Sequence, residues 1–198
     1  LVTVKVDGPV AENEICYIDL DGVKMMAEVI KVNGKYASVQ VFESTRGLRN
    51  GNKVEFEGRM LQVTLGPGLL SSVYDGLQND LTTMEGVFLK RGEYTDPLNH
   101  EKRWDFTPIA KPGDKVVAAD WLGEVKEGWL PHKIMVPFSF QGEYTVHSVA
   151  PAGQYTIDDC IAILRNAEGE EVKVTMTQKW PVKVAVKGYR EKPRPDRI

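Results

Sequence analysis

Apolar and polar residues in the first third of this chain alternate in short runs that turn residues repeatedly interrupt. Val2–Val6, Glu14–Asp19, Met25–Val32, Tyr36–Phe42, Lys53–Phe56 and Leu61–Leu65 change character at every second residue; Asp7-Gly8-Pro9, Asp21-Gly22, Asn33-Gly34, the stretch 46–52 and Glu57-Gly58 separate them. A period of two sends successive side chains to opposite faces of a strand. Asn33-Gly34 between two such runs is a strong hairpin signal, because both central positions of a type I′ turn take positive φ. Strands this short bury little alone, and closing them removes the unpaired edges. The expected fold is mainly β, opening with a small six-stranded barrel over residues 1–65.

Composition narrows the class. The chain has 198 residues, 42% hydrophobic and 27% charged, which suits one large or two small soluble domains. Its 25 basic and 28 acidic side chains give a net charge of −3, so no general field favours nucleic acid or anionic lipid. Cys16 and Cys160 stand far apart without Cys-x-x-Cys spacing and are expected to be buried thiols in a reducing compartment, neither disulfide-bonded nor zinc-bound. Leu1–Val6 reads as a strand rather than a secretory leader, and no apolar run approaches the ~18 residues that cross a bilayer. The absence of an Asn-x-Ser/Thr sequon agrees with an internal location.

Several stretches invite chemistry and lack what it requires. A phosphate-binding loop needs Gly-x-x-x-x-Gly-Lys-(Ser/Thr), with backbone N–H groups around the phosphates, Lys to neutralise them and a hydroxyl for magnesium. The only Gly-Lys pair, Gly34-Lys35, is followed by Tyr36 and has Val29 at the first glycine position. Gly66-Pro67-Gly68-Leu69-Leu70-Ser71 departs from a dinucleotide fingerprint at Ser71 and reads as a structural turn. Thr45–Gly51 is basic enough to suggest an anion loop, but Leu48 suits a core plug and Gly47 and Gly51 suit turns. His100 with Glu101 and Asp105 could be drawn as a metal or acid–base cluster, yet neighbours on a strand face opposite ways. His132 and His147 are single, without a second ligand at metal spacing. Trp104, Trp121, Trp129 and Trp180 read as core plates, since no basic groove lies between them in sequence. No catalytic, cofactor-binding or metal-binding residue is assigned.

Residues 66–107 read as a linker. Leu69, Leu70, Val73, Leu77 and Leu81 recur at three- and four-residue steps and predict one short helix, which Asp75-Gly76 interrupts. The remainder, through Asn99–Phe106, reads as irregular chain with aromatic anchors. A second β-rich module spans 108–185: it begins with Pro112–Val117 and continues through Asp120–Val125 with alternation persisting, and Ile134–Pro137, Gly142–Val146, Gly153–Ile157 and Val172–Met176 each read as a strand opened or closed by Gly or Pro. Its phrasing resembles biotinyl/lipoyl-like barrel-sandwich modules. Lys133 is the nearest candidate for a carrier lysine, and its setting, His132-Lys133-Ile134-Met135, is unlike the tip such a lysine occupies. Residues 186–198 form a basic, proline-containing tail.

Glu43-Ser44-Thr45-Arg46-Gly47-Leu48, then Leu65-Gly66-Pro67-Gly68-Leu69, then Asp75-Gly76-Leu77-Gln78 resemble, in order and spacing, the start of the catalytic A subunit of vacuolar and archaeal (V/A-type) rotary ATPases. Pro131–Pro137 and Gln178–Val182 resemble the inner and closing segments of the bulge, or non-homologous region, that A subunits carry and B subunits lack. The resemblance covers nearly the whole chain. It departs at Asn79-Asp80-Leu81, where Arg-Pro-Leu is usual, and at Lys183, where Arg is commoner.

The resemblance implies a barrel, a bulge and, at 186–198, a lead-in to a nucleotide-binding domain beyond Ile198. It implies no cofactor in these residues, with ATP and magnesium bound elsewhere in the parent. Implied partners are the B subunits of an alternating ring and, through the bulge, peripheral stalk subunits. The implied location is cytoplasmic and peripheral to a membrane, without direct insertion or nucleic-acid binding. The competing reading is a biotinyl/lipoyl-like carrier or a β-barrel binding module unrelated to the motor.

Overall fold

The computed structural model describes residues 1–70, 72–82, 91–92 and 94–186, and every regular element among them is a strand. The chain divides into two compact units: one formed by Leu1–Val63, Leu81–Thr95 and Pro181–Lys183, the other by Thr64–Asp80, Asp96–Trp180 and Val184–Ile198.

In the first unit, β1 (Val2–Lys5), β2 (Glu14–Leu20), β3 (Val23–Asn33), β4 (Tyr36–Val41) and β5 (Val54–Met60) form one antiparallel sheet in the order β1-β4-β3-β2-β5. Alternation does what the sequence suggests: Ala37, Val39 and Val41 of β4 are buried while Tyr36 and Gln40 are exposed. With Val4, Cys16, Ile18, Met25, Ala27 and Val29 they make the core, each fully buried valine or isoleucine contributing about 1.5–3 kcal/mol. All six anticipated strands exist, but the expected closed six-stranded barrel does not. The sixth, β6 (Gln62–Leu65), pairs with β15 (Gln178–Pro181) in a separate two-stranded sheet, leaving five strands with β1 and β5 as edges. The Gln78 side chain fixes β6 in this arrangement: its Oε1 accepts the Thr64 N–H at 2.7 Å and its Nε2 donates to the Thr64 carbonyl at 2.7 Å.

The β3–β4 hairpin turns one residue later than anticipated. Asn33 pairs with Tyr36, so Gly34-Lys35 is the loop, and only its first residue has positive φ (58°), which matches glycine-first type II′ turns rather than type I′.

The second unit carries two four-stranded sheets. β7 (Trp104–Pro108), β9 (Trp121–Glu127), β10 (Leu130–Met135) and β12 (Gly153–Tyr155) run in the order β10-β9-β7-β12. β8 (Lys115–Val116), β11 (Tyr144–Val149), β13 (Ala162–Arg165) and β14 (Glu171–Val174) run in the order β14-β13-β11-β8. Phe106, Leu122, Val125 and Ile134 from one sheet share a core with Val116, Val146, Leu164 and Val174 from the other. β7 replaces irregular chain expected near residue 104: Trp104 and Phe106 are buried and Asp105 and Thr107 exposed, a strand alternation carried by aromatics.

The helix expected between Leu69 and Leu81 is absent. The Asp75 carboxylate accepts the N–H groups of Leu77 (2.9 Å) and Asn79 (2.8 Å), Gln78 takes φ of 65°, and Tyr74 bridges Asp80. This side-chain turn competes successfully with a helix whose apolar stripe has nothing to cover it, since Leu70, Val73 and Leu81 are all exposed. The tail from residue 187 lies outside the described residues, as does Ser71.

Candidate functional site

The residues that carry the resemblance close turns. Glu43, on the chain leaving β4, receives the Tyr94 hydroxyl at 2.7 Å and the Gly92 N–H at 3.2 Å, while Met26 N–H donates to the same hydroxyl at 2.9 Å. Burial first and the bond to Glu43 second push the Tyr94 phenol well above its ordinary pKa, so this oxygen stays protonated and keeps donating to the carboxylate. Gly47 has φ of 92° beside Leu20, and Leu48 packs on the core. In the candidate anion loop, Arg49 N–H donates to Asn52 Oδ1 at 2.6 Å, and Arg46 O accepts Arg91 Nη1 at 3.0 Å. Its backbone groups are engaged in holding the turn.

The Leu65–Leu69 turn is held from below. Buried Glu127 points Oε1 at the N–H groups of Gly68 (2.7 Å) and Leu70 (3.0 Å), and its Oε2 takes His132 Nδ1 at 2.6 Å. A carboxylate therefore occupies the very amides that a phosphate-binding reading of Gly66–Leu70 would need. Gly66 is required by space: a Cβ there would lie 2.9 Å from Thr177 Cγ2. Sequence reasoning missed Glu127, although it stands in phase with buried Val125, and a charged residue on the inward phase of a strand signals a partner.

The remaining candidates separate. His100 does not gather Glu101 and Asp105. It bridges Asp158 (2.6 Å, Nδ1) and Asp96 (2.8 Å, Nε2), and the bond to Asp158 chiefly raises its pKa. His147 sits on an exposed face with Arg165 and Glu171. Among the described residues no group of three or more His, Cys, Asp or Glu side chains is arranged to hold a metal. Lys133 lies within β10, paired with the Glu124 carboxylate and 4.8 Å from the Trp121 ring centre, not at a hairpin tip.

Cys16 is buried, and desolvation pushes its thiol up to about 11; Cys160, expected to be buried, is exposed because the turn at 158–160 faces solvent. Trp104 is a core residue and Trp180 packs edge-on against Phe138 at 5.7 Å, but Trp121 and Trp129 are exposed, contrary to the core-plate expectation.

Lys183, the departure from Arg, returns to the first unit. Its Nζ donates to Asn13 Oδ1 at 2.8 Å and stands 2.6 Å from Oε1 of buried Glu28. That oxygen has no well-directed hydrogen bond among the described residues, so charge is what compensates its burial.

Small antiparallel sheets in each unit, with signature turns that close on carboxylates and amides of the chain itself, define a class. Residues 1–58 match the β-barrel domain of the ATP synthase alpha/beta family and residues 95–183 match the ATP synthase alpha/beta subunit barrel-sandwich domain, and the chain belongs to that family. Within it, the chain is similar to proteins named V-type ATP synthase alpha chain. It is 45% identical to that of Treponema denticola over 198 residues and 46% identical to that of Borrelia hermsii over 195. These alignments cover 98% and 97% of this chain and 34% of each relative, so the chain spans about a third of the length of the curated relatives it matches. No helix among the described residues is long and apolar enough to cross a membrane.

Proposed function

We propose that these residues form a non-catalytic assembly region of the A subunit of a V-type rotary ATPase or ATP synthase. The parent would bind ATP and magnesium outside these residues and couple nucleotide turnover to proton or sodium transport as a soluble sector at a membrane surface. The observation that carries this reading is the use of the signature residues: Glu43, Gly68 with Leu70, and Asp75 are engaged in turn-closing hydrogen bonds rather than presented around a ligand. What the first unit offers instead is edge. A groove of about 860 Å³ opens beside β1 and β5, lined by Val2, Val4, Leu48 and Val54 and rimmed by Lys5 and Lys53. Apolar floor and charged rim are the anatomy of a protein contact, here toward B subunits in an alternating ring, with the second unit facing a peripheral stalk.

Isothermal titration with Mg-ATP tests the non-catalytic half: no binding is expected, and tight stoichiometric binding overturns it. Native mass spectrometry tests the other half. Residues 1–198 in excess should compete with the intact A subunit for B subunits, and failure to compete overturns the assembly role.

A further inference from the structure

The most exposed aromatic among the described residues of the second unit stands at the tip of the β9–β10 hairpin. Glu127 pairs with Leu130 across a two-residue loop, Gly128 takes φ of 62°, and Trp129 is 85% exposed. Paired strands on both sides fix the loop, so the indole is presented at little entropic cost to a binding partner.

Beside it lies a concavity of about 450 Å³ whose lining includes Gly128, Lys126, Lys102, Arg103 and Trp104. The three cations are exposed, and none forms an ion pair among the described residues, whereas Lys24, Lys115, Lys133, Arg165 and Lys183 each meet a carboxylate. Two of them are held in place: Lys102 Nζ sits 3.9 Å over the Trp104 ring centre, and Arg103 Nη1 donates to the Gln154 carbonyl at 3.4 Å. Two carboxylates share the lining and both are engaged. Glu127 is buried and accepts from Gly68, Leu70 and His132, and Asp105 accepts Gln154 Nε2 at 3.1 Å. The concavity therefore presents positive charge on a chain whose net charge is −3.

We infer that Trp129, Lys102, Arg103 and Lys126 form a docking surface for an acidic protein segment, the indole taking an apolar side chain and the cations taking carboxylates. Tryptophan and arginine are the residue types that most often dominate protein contacts, and unpaired cations have less to lose on pairing than cations already bridged. Nucleic acid fits less well, because the acidic balance of the chain opposes a polyanion beyond the three-cation patch. This inference deepens the assembly reading and rests on it for the existence of a partner.

The test uses the 198-residue chain and a synthetic acetylated octapeptide of seven glutamates and one phenylalanine. Titration calorimetry should show saturable binding that weakens with salt. W129A should weaken it at least tenfold, and K102E/R103E/K126E should abolish it, with the resolved indole resonances of the remaining tryptophans reporting an intact fold. The milder K126Q, expected to weaken binding severalfold, covers loss of the triple variant. No saturable binding to the unaltered chain overturns the inference, as does binding that W129A leaves unchanged or tighter binding by an oligonucleotide of equal charge. A failed titration speaks against this surface only; failed competition for B subunits speaks against the assembly reading.

Discussion

Replacing Gly123 by alanine tests how the second unit is packed. Gly123 lies on β9 opposite Pro108 of β7, and a Cβ there would fall 2.2 Å from Cε2 and 2.3 Å from Cζ of Phe106, with the Thr107 carbonyl oxygen at 2.8 Å. Carbon atoms pack best about 3.5–4.0 Å apart, so the ring would have to retreat by more than an ångström. It has nowhere to go: Phe106 is 1% exposed and meets Tyr155 edge-on at 6.0 Å. Overpacking of this kind costs about 1–3 kcal/mol, and the simultaneous clash with backbone places Gly123→Ala near the upper end. Alanine recovers about 0.5–1 kcal/mol through lower chain entropy, leaving a net loss of about 2 kcal/mol. All four tryptophans, Trp104, Trp121, Trp129 and Trp180, belong to the second unit, so denaturant unfolding followed by tryptophan fluorescence reads this unit selectively. Phe106→Leu, which removes the clashing ring atoms, should be destabilising alone yet less than additive with Gly123→Ala. A Gly123→Ala protein within about 0.5 kcal/mol of the parent, or strict additivity in the double variant, refutes the close-approach argument.

Lys183→Met should destabilise the first unit by about 1–3 kcal/mol, because the buried Glu28 side chain loses its partner; adding Glu28→Gln should recover most of that loss in far-UV circular dichroism melts. The His100 imidazole should titrate above its ordinary range by NMR, held there first by Asp158, and Asp158→Asn should lower it. Because the folded pKa is raised, the stabilisation from this contact is full below the unfolded pKa of about 6.5 and fades as pH rises through the folded value; stability that grows on going from pH 6 to pH 8 through this residue would contradict the geometry. In the native protein Cys160 should react with a thiol reagent at neutral pH while Cys16, buried and with its thiol pushed up to about 11, should not; equal rates would place Cys16 at the surface.

Local chemistry was legible where each residue's partner is nearby. The strands on either side of Gly34 and the alternation of Ala37, Val39 and Val41 follow from period and turn residues alone. The Leu69–Leu81 repeat misled because periodicity measures only whether a face could be apolar; the Asp75 side chain, bonding two residues and four residues ahead, supplied a competing local structure. The route of β6 was not legible, since it depends on Gln78 bracketing Thr64 from fourteen residues away. The same holds for Glu127 beneath Gly68 and Lys183 beside Glu28: both pairings join residues that only the folded chain makes neighbours. The signature motifs were read correctly as a family mark, but their work as turn closures needed the distant carboxylates and tyrosine to be seen.

The first unit draws on three separate stretches of chain, and this bears on any attempt to isolate it. A polypeptide ending at residue 65 would omit Gly92 and Tyr94, whose donors satisfy Glu43, and Lys183, whose ammonium offsets Glu28. Its sheet would keep every strand and lose the donors that satisfy Glu43 and the countercharge beside Glu28. Shortening the gene there should yield a protein that forms the right topology and tolerates heat poorly, because the late-translated residues are what make the early sheet comfortable with its own charge.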